Sequence, residues 1–119
     1  MDRRKLTGTL GEAAAVAYLT RHGVRILERN YRSRYGEIDL IGADGTGLIV
    51  VEVKARKGPD CGDPAEAVGY RKIRRICRTF NHYRMIHRLS DFTPVRFDVI
   101  EIDREFGCHW IKNAFEFVE

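Results

Sequence analysis

The sequence predicts an α/β domain in which a mixed central β-sheet is flanked by helices. The 119 residues suit one domain, so residues 1–119 are interpreted as a single unit. Two observations give the fold class. Helical patterns alternate with apolar, Val- and Ile-rich segments in the order helix, three strands, helix, then one or two strands. The second helix also separates a hairpin from a later strand, which favours a parallel crossover.

The N-terminal half predicts a helix and three strands. Residues 9–23 are alanine-rich and helical, with Gly23 placed to end the helix. Residues 24–32 predict a strand. Residues 36–55 predict a β-hairpin that turns at Asp44, Gly45 and Gly47.

The C-terminal half predicts a long helix and one or two further strands. Residues 58–64 contain the Gly and Pro of a loop. A helix over roughly residues 65–87 follows, since apolar residues recur at helical spacing. These are Ile73, Ile76, Cys77, Phe80 and Tyr83. Residues 95–102 alternate as a strand, in which we expect Arg96 and Asp98 to pair with neighbours, and residues 109–117 predict a short last one.

Composition is typical of a folded cytoplasmic protein. The hydrophobic fraction is 44% and the charged fraction 32%, which argues against disorder. No apolar run reaches the roughly 18 residues that span a bilayer, and Glu12 interrupts the N-terminal apolar stretch. The three cysteines form no CxxC pair, so reduced thiols are expected. A zinc site involving Cys61 or Cys108 lacks the usual ligand spacing.

The net charge of +4 is unevenly distributed. Residues 70–88 hold seven basic side chains and no acid. The seven are Arg71, Lys72, Arg74, Arg75, Arg78, Arg84 and Arg88. Such a segment is typical of a polyanion-binding surface, but it also suits a solvated helix face or a site that docks an acidic protein.

Acidic residues interrupt both strands of the predicted hairpin. Strand alternation places Glu37 and Asp39 on one face, and Glu52 and Lys54 on one face of the next strand. We expect the opposite faces to carry apolar residues. These are Ile38, Leu40, Val51 and Val53. Charged groups are costly to bury unless they are paired or bind a metal.

A register that brings Asp39 near Glu52 would form a site for Mg²⁺ or Mn²⁺, which prefer oxygen ligands. A metal at this position could polarise a phosphodiester, and Lys54 could orient water or offset developing charge. Glu37 either holds the metal ligands in position without binding the metal itself or is a solvated residue at the start of the strand. The alternative for the whole group is a set of cross-strand ion pairs.

Glu12 has two interpretations. The sequence "TLGE" fits a capping box, with Thr9 as the N-cap residue and Glu12 bonding back to the backbone. From the residues alone, this cap is favoured over a catalytic role.

The chain resembles the YraN-like family of predicted endonucleases. The resemblance rests on several segments in order: "GEAAAVAYL", "ILERNYRSRYGEIDLI", "VVEVKAR", "AVGYRKIRRI", "RFDVIEI" and "NAF". That family is similar to the PD-(D/E)xK nuclease superfamily. The resemblance therefore implies a restriction-endonuclease-like fold and metal-dependent cleavage of DNA, with branched or damaged DNA as a candidate substrate.

The same resemblance assigns roles to individual residues. It places the first acid of the motif at Asp39 and the (D/E)xK element at Glu52 and Lys54. Glu12 resembles the first-helix glutamate of small Holliday-junction resolvases, which raises its catalytic interpretation. The proline of the PD motif is absent, since Ile38 precedes Asp39.

In this light the basic helix predicts a nucleic-acid surface. Phosphate contacts are expected from Arg71, Arg74, Arg75 and Arg78. Lys72 either points toward the acidic site or is solvated. Arg34, with Arg32 and Tyr35, could add backbone contacts or stack on an unpaired base. The alternative function is a non-catalytic nucleic-acid-binding module that uses the basic helix 70–88. A homodimer is a further expectation, since cutting both strands benefits from twofold symmetry.

Overall fold

The computed structural model describes residues 3–56 and 68–119, with side chains from residue 10 onward. Two long helices and five strands form the fold within these ranges. In chain order they are α1 (Arg3–Arg21), β1 (Arg25–Ser33), β2 (Gly36–Asp44), β3 (Gly47–Ala55), α2 (Tyr70–Ile86), β4 (Val95–Ile102) and β5 (Cys108–Phe115).

The five strands form one mixed sheet in the order β1-β2-β3-β4-β5. Neighbouring strands are antiparallel except β3 and β4, which are parallel and joined through α2. The predicted crossover is therefore confirmed. The β2–β3 turn is held by Asp44, whose Oδ1 accepts hydrogen bonds from the Thr46 amide at 2.7 Å and from the Thr46 hydroxyl.

The sheet separates two hydrophobic cores. Ala15 and Leu19 of α1 pack with Leu40, Val51 and other residues on one face. On the opposite face, the apolar side of α2 packs against β2, β3, β4 and β5. That side comprises Ile73, Ile76, Cys77, Phe80 and Tyr83, the residues that the sequence pattern selected.

Helix α1 differs from the sequence prediction at its start. It begins at Arg3, so Thr9 lies inside the helix and cannot be its N-cap residue. The predicted capping box at residues 9–12 is therefore wrong. The end is as predicted, because Gly23 takes a left-handed φ of 86° after Arg21.

Helix α2 ends at Ile86, close to the predicted boundary. Its predicted first residues 65–67, the predicted loop 58–64 and Cys61 lie outside the described residues. Among the residues that the structure does describe, no helix is long and apolar enough to cross a membrane.

Strand β2 is irregular at Asp39, which corrects one expectation. Ile38 packs on the α2 face and Leu40 on the α1 face, although alternation predicted a shared face. The pairing with β1 steps from Arg29–Leu40 to Tyr31–Ile38, and Asn30 between them has a left-handed φ of 53°. This left-handed residue lies opposite Asp39, where the alternation of β2 breaks.

In β3 the alternation holds. Val50 packs on the α2 face, and Val51 and Val53 pack on the α1 face. Glu52 consequently faces α2.

Candidate functional site: an acidic cavity beside a basic helix

A cavity of about 290 Å³ lies between the β2–β3 pair and α2. We call it the acidic cavity, and it is lined by Gly36, Glu37, Asp39, Glu52, Lys72, Arg75 and Ile76. Three carboxylates and two cations thus surround one small space.

The hairpin register places Asp39 beside Glu52. The β2–β3 ladder includes the pair Leu40–Val51, and the next step in the same register is Asp39 with Glu52. The amide of Val53, the residue after Glu52, donates a hydrogen bond to Asp39 Oδ2 at 2.8 Å. The side chain of Asp39 therefore accepts a backbone donor of β3 and is held against that strand.

Asp39 and Glu52 are electrostatically coupled. The pKa of Asp39 is raised to about 7, mainly by burial and then by the neighbouring Glu52 carboxylate, through repulsion and a shared hydrogen bond. The Val53 amide and the Lys72 ammonium oppose this rise. Two carboxyl groups in contact, one of them with its pKa near neutrality, form a site that favours a bound cation.

Lys72 supplies one cation to this pair. Glu52 is only 3% exposed, and its carboxylate forms an ion pair with the Lys72 ammonium. The two residues come from different elements, since Glu52 lies on β3 and Lys72 on the first turn of α2. Lys72 therefore points toward the acidic cavity, which the sequence left open.

The other predicted site residues lie at different distances from this centre. Glu37 lines the cavity and pairs at 3.7 Å with the exposed Arg32. Alternation places Lys54 on the same face of β3 as Glu52, but Lys54 does not line the acidic cavity. Glu12 lies on α1, where its Oε2 accepts a hydrogen bond from Asn30 Nδ2 at 3.2 Å. Asn30 occupies the β1 position opposite Asp39, so Glu12 approaches the site through this residue.

The donor set suits a hard divalent cation. Within residues 3–56 and 68–119, no group of three His, Cys, Asp or Glu side chains is close enough to hold a metal ion. Mg²⁺ commonly binds one or two carboxylates and completes its shell with water and substrate phosphate. The Asp39–Glu52 pair fits that pattern, and it does not fit a closed zinc site.

The basic residues of α2 extend from this cavity along one helix face. Arg71, Arg75 and Arg78 recur at spacings of four and three residues, and all three are exposed. Arg74 turns aside and is half-buried, with its guanidinium carbon 6.0 Å from the centre of the Tyr70 ring. Arg34 lies at the β1–β2 turn, 4.9 Å from the centre of the Tyr35 ring.

Sequence reasoning missed the part that Arg75 and Gly36 play in the acidic cavity. A Cβ at Gly36, whose φ is 154°, would lie 3.3 Å from the Arg75 Cβ. The absent side chain lets the β1–β2 turn contact α2 at the rim of the cavity. The spacing of Lys72 and Arg75, three residues apart on a helix that also carries Ile76, was the available signal.

These features define an α/β domain of the restriction-endonuclease-like type, with an acid pair at the sheet and a basic helix beside it. The model of the uncharacterised protein family UPF0102 matches residues 11–102. The chain belongs to this family, the YraN family that the sequence resembles.

Relatives in the family match nearly the whole chain. A UPF0102 protein of Symbiobacterium thermophilum is 48% identical over 120 residues, covering 97% of this chain and 98% of the relative. A relative from Lachnoclostridium phytofermentans is 42% identical over 113 residues, 95% of each chain. A third from Methylococcus capsulatus is 41% identical over 118 residues, 97% of this chain and 94% of the relative.

Proposed function

We propose that this protein is a metal-dependent DNA endonuclease that hydrolyses phosphodiester bonds at the acidic cavity. The observation that carries the proposal is the contact between the Asp39 and Glu52 carboxyl groups, with the pKa of Asp39 raised to about 7. Perturbed acids of this kind, in a cavity, are typical of functional sites. The exposed arginines of α2 supply positive charge for a phosphate backbone on the same side of the sheet.

Each residue has a defined part in this proposal. Asp39 and Glu52 would hold Mg²⁺ or Mn²⁺, which when bound polarises the scissile phosphate and lowers the pKa of a water ligand. The Val53 amide fixes the orientation of Asp39. Lys54, on the Glu52 face of β3, orients the attacking water or offsets charge on the phosphorus.

The remaining residues position the substrate or the ligands. Arg75 at the cavity rim contacts the phosphate beside the reacting one, and Arg71 and Arg78 contact the backbone to either side. Glu12 acts through Asn30, next to Asp39, and Glu37 balances the cations at the rim.

The test is cleavage of a labelled DNA panel that includes duplex, single-stranded, flap and four-way-junction molecules. Each is incubated with Mg²⁺, Mn²⁺ or EDTA. We expect metal-dependent cutting that falls at least about a hundredfold in Glu52→Gln and in Asp39→Asn, since each removes one side of the metal site. Glu105→Gln, which changes an exposed acid far along the chain, is the matched control and should cut normally. Cutting at an unchanged rate in both cavity variants would refute the proposal.

The second candidate function is a DNA-binding module without catalysis. The ion pair between Glu52 and Lys72 favours it, because the buried carboxylate already has a cationic partner. This module would bind DNA with a steep salt dependence, carried by the exposed arginines of α2 and indifferent to metal. Reversing Arg75 and Arg78 to Glu should then abolish binding, whereas Glu52→Gln should preserve it.

The proposal also includes a homodimer in the cytoplasm. Twofold symmetry would present two acidic cavities to the two strands of a duplex. Cys77 and Cys108 are free thiols, in keeping with a reducing compartment. Sedimentation of the protein with and without duplex DNA tests the oligomeric state, and a monomer under both conditions would refute the dimer.

A further inference from the structure

A second cavity, of about 780 Å³, lies on the same side of the sheet as the acidic cavity. We call it the Tyr35 cavity, and it is lined by Arg34, Tyr35, Arg78, Asn81, His82 and Met85. Its volume falls within the range that holds small organic ligands.

The β1–β2 turn gives this cavity two planar groups. The Arg34 guanidinium lies against the Tyr35 ring, and its Nη2 donates a hydrogen bond to the Tyr35 hydroxyl at 2.7 Å. The Tyr35 amide donates to Ser33 Oγ at 3.0 Å, and Ser33 Oγ lies 3.1 Å from Thr79 Oγ1 of α2. The turn is therefore tied to the helix, so the planar pair is held in place. Aromatic rings and guanidinium planes are the groups on which nucleobases stack.

The helix side of the cavity adds polar groups. His82 Nδ1 lies 2.7 Å from the Tyr31 hydroxyl, which fixes the imidazole ring. Asn81 is exposed and carries both a donor and an acceptor, as the edge of a base does. The wall of the cavity thus offers stacking surfaces and hydrogen-bonding groups together.

The two cavities lie in sequence along α2. Arg75 lines the acidic cavity, and Arg78 and His82 line the Tyr35 cavity on the same face of the helix. Gly36 and Tyr35, adjacent in the chain, line one cavity each. From residue 75 to residue 82 the helix rises about 10 Å.

We propose that the Tyr35 cavity binds an unpaired nucleobase of the DNA strand, a short distance along the strand from the phosphate held at the acidic cavity. This inference rests on the proposed function, because the position of the base is given relative to the phosphate at the acidic cavity. A base inside a duplex is stacked and paired, so it reaches the cavity only when the strand is single or the base is extruded. The cavity therefore selects DNA with unpaired bases next to the site of cutting.

The test measures binding in EDTA, so that no strand is cut. One oligonucleotide carrying the fluorescent base 2-aminopurine is used alone and annealed to its complement. We expect the wild-type protein to quench the fluorescence of the single strand by stacking and to bind it more tightly than the duplex. Tyr35→Leu should weaken single-strand binding about tenfold and remove the quenching, since one stacked base is lost. Its affinity for the duplex should not change.

Two further variants control this experiment. Tyr35→Phe keeps the ring and should keep the quenching. Tyr70→Leu removes a tyrosine that contacts Arg74 of the basic helix, outside the Tyr35 cavity, and should leave single-strand binding unchanged. Equal loss in Tyr35→Leu and Tyr70→Leu, or wild-type binding with no preference for the single strand, would overturn the proposal. Circular dichroism melting of each variant excludes loss of folding as the cause.

The outcomes separate this inference from the nuclease proposal. If the wild-type protein cuts no DNA with Mg²⁺ or Mn²⁺ but Tyr35→Leu loses single-strand affinity, the base-binding cavity stands and the nuclease fails. If metal-dependent cutting occurs and Tyr35→Leu binds single strands normally, the nuclease stands and the base-binding cavity fails.

Discussion

Asp39 and Asp98 occupy similar sequences and very different surroundings. Each interrupts an apolar strand, in "GEIDLI" and "VRFDVI". Asp98 is 0% exposed and accepts hydrogen bonds from the Arg96 guanidinium at 2.9 to 3.1 Å, from Trp110 Nε1 at 2.8 Å and from the Asn113 amide at 2.8 Å. Arg96 and Asp98 were expected to pair with neighbours, and they pair with each other. Asp39 instead accepts one backbone donor and contacts a second carboxyl group.

The difference teaches how a buried acid that stabilises the fold is distinguished from one that is available for chemistry. The carboxylate of Asp98 is surrounded by donors that belong to the protein, so its charge is compensated within the fold. The carboxyl of Asp39 faces a like charge, and its pKa is raised to about 7. A bound cation would relieve this repulsion at Asp39. At Asp98 it would relieve none, because donors of the protein already compensate the charge.

The largest effect that we expect is a loss of protein stability when Asp98 is replaced. Asp98→Ala leaves the Arg96 guanidinium and the Trp110 indole without their shared acceptor in a partly buried site. We expect the free energy of unfolding to fall by about 3 kcal/mol, measured by urea denaturation at pH 7. Phe106→Leu at the exposed turn before β5 serves as a control with little change. A loss in Asp98→Ala no greater than in the control would remove the distinction between the two acids.

A smaller effect is expected at Lys72. Lys72→Met leaves the buried Glu52 carboxylate beside Asp39 without its ammonium partner, so the metal-free protein should lose about 1 kcal/mol of stability. The same variant should bind Mn²⁺ more tightly, because no ammonium competes for Glu52. Isothermal titration with Mn²⁺ measures this directly. Arg71→Met, one residue earlier on the exposed face, is the matched control, and equal Mn²⁺ affinity in the two variants would contradict the expectation.

A third expected effect concerns the pH dependence of stability at Asp39. Its pKa in the folded protein, about 7, lies above the ordinary value of 3.8. The folded state therefore holds a proton that the unfolded state has lost, and the stability that this proton contributes disappears as pH rises from about 4 to about 8. In EDTA, Asp39→Asn should abolish this decline and be the more stable protein at pH 8, because the variant has no carboxyl group to ionise in the folded state.

Thermal melts of both proteins from pH 5 to pH 8 measure this difference. Parallel pH profiles for the wild-type protein and Asp39→Asn would contradict the raised pKa. Addition of Mn²⁺ at pH 8 should raise the melting temperature of the wild-type protein more than that of Asp39→Asn, since the variant has lost one ligand.

By itself the sequence determined the strands, the long second helix and its apolar face, and the parallel crossover, because these follow from local periodicity and short connections. It also placed Glu52 on the face of β3 opposite Val51 and Val53, because β3 alternates regularly. It misjudged the start of α1, since the helix begins six residues before Thr9 and the capping pattern therefore lies inside it.

Only the tertiary structure decided how the candidate site is assembled. The alternation of β2 breaks at Asp39, opposite the left-handed Asn30, so that Ile38 and Leu40 pack on opposite faces. The contact of Lys72 with Glu52 joins residues twenty positions apart, and its existence depends on where α2 packs on the sheet. Local patterns report which face of an element is apolar. The distances between polar groups on different elements follow from packing, which periodicity does not specify.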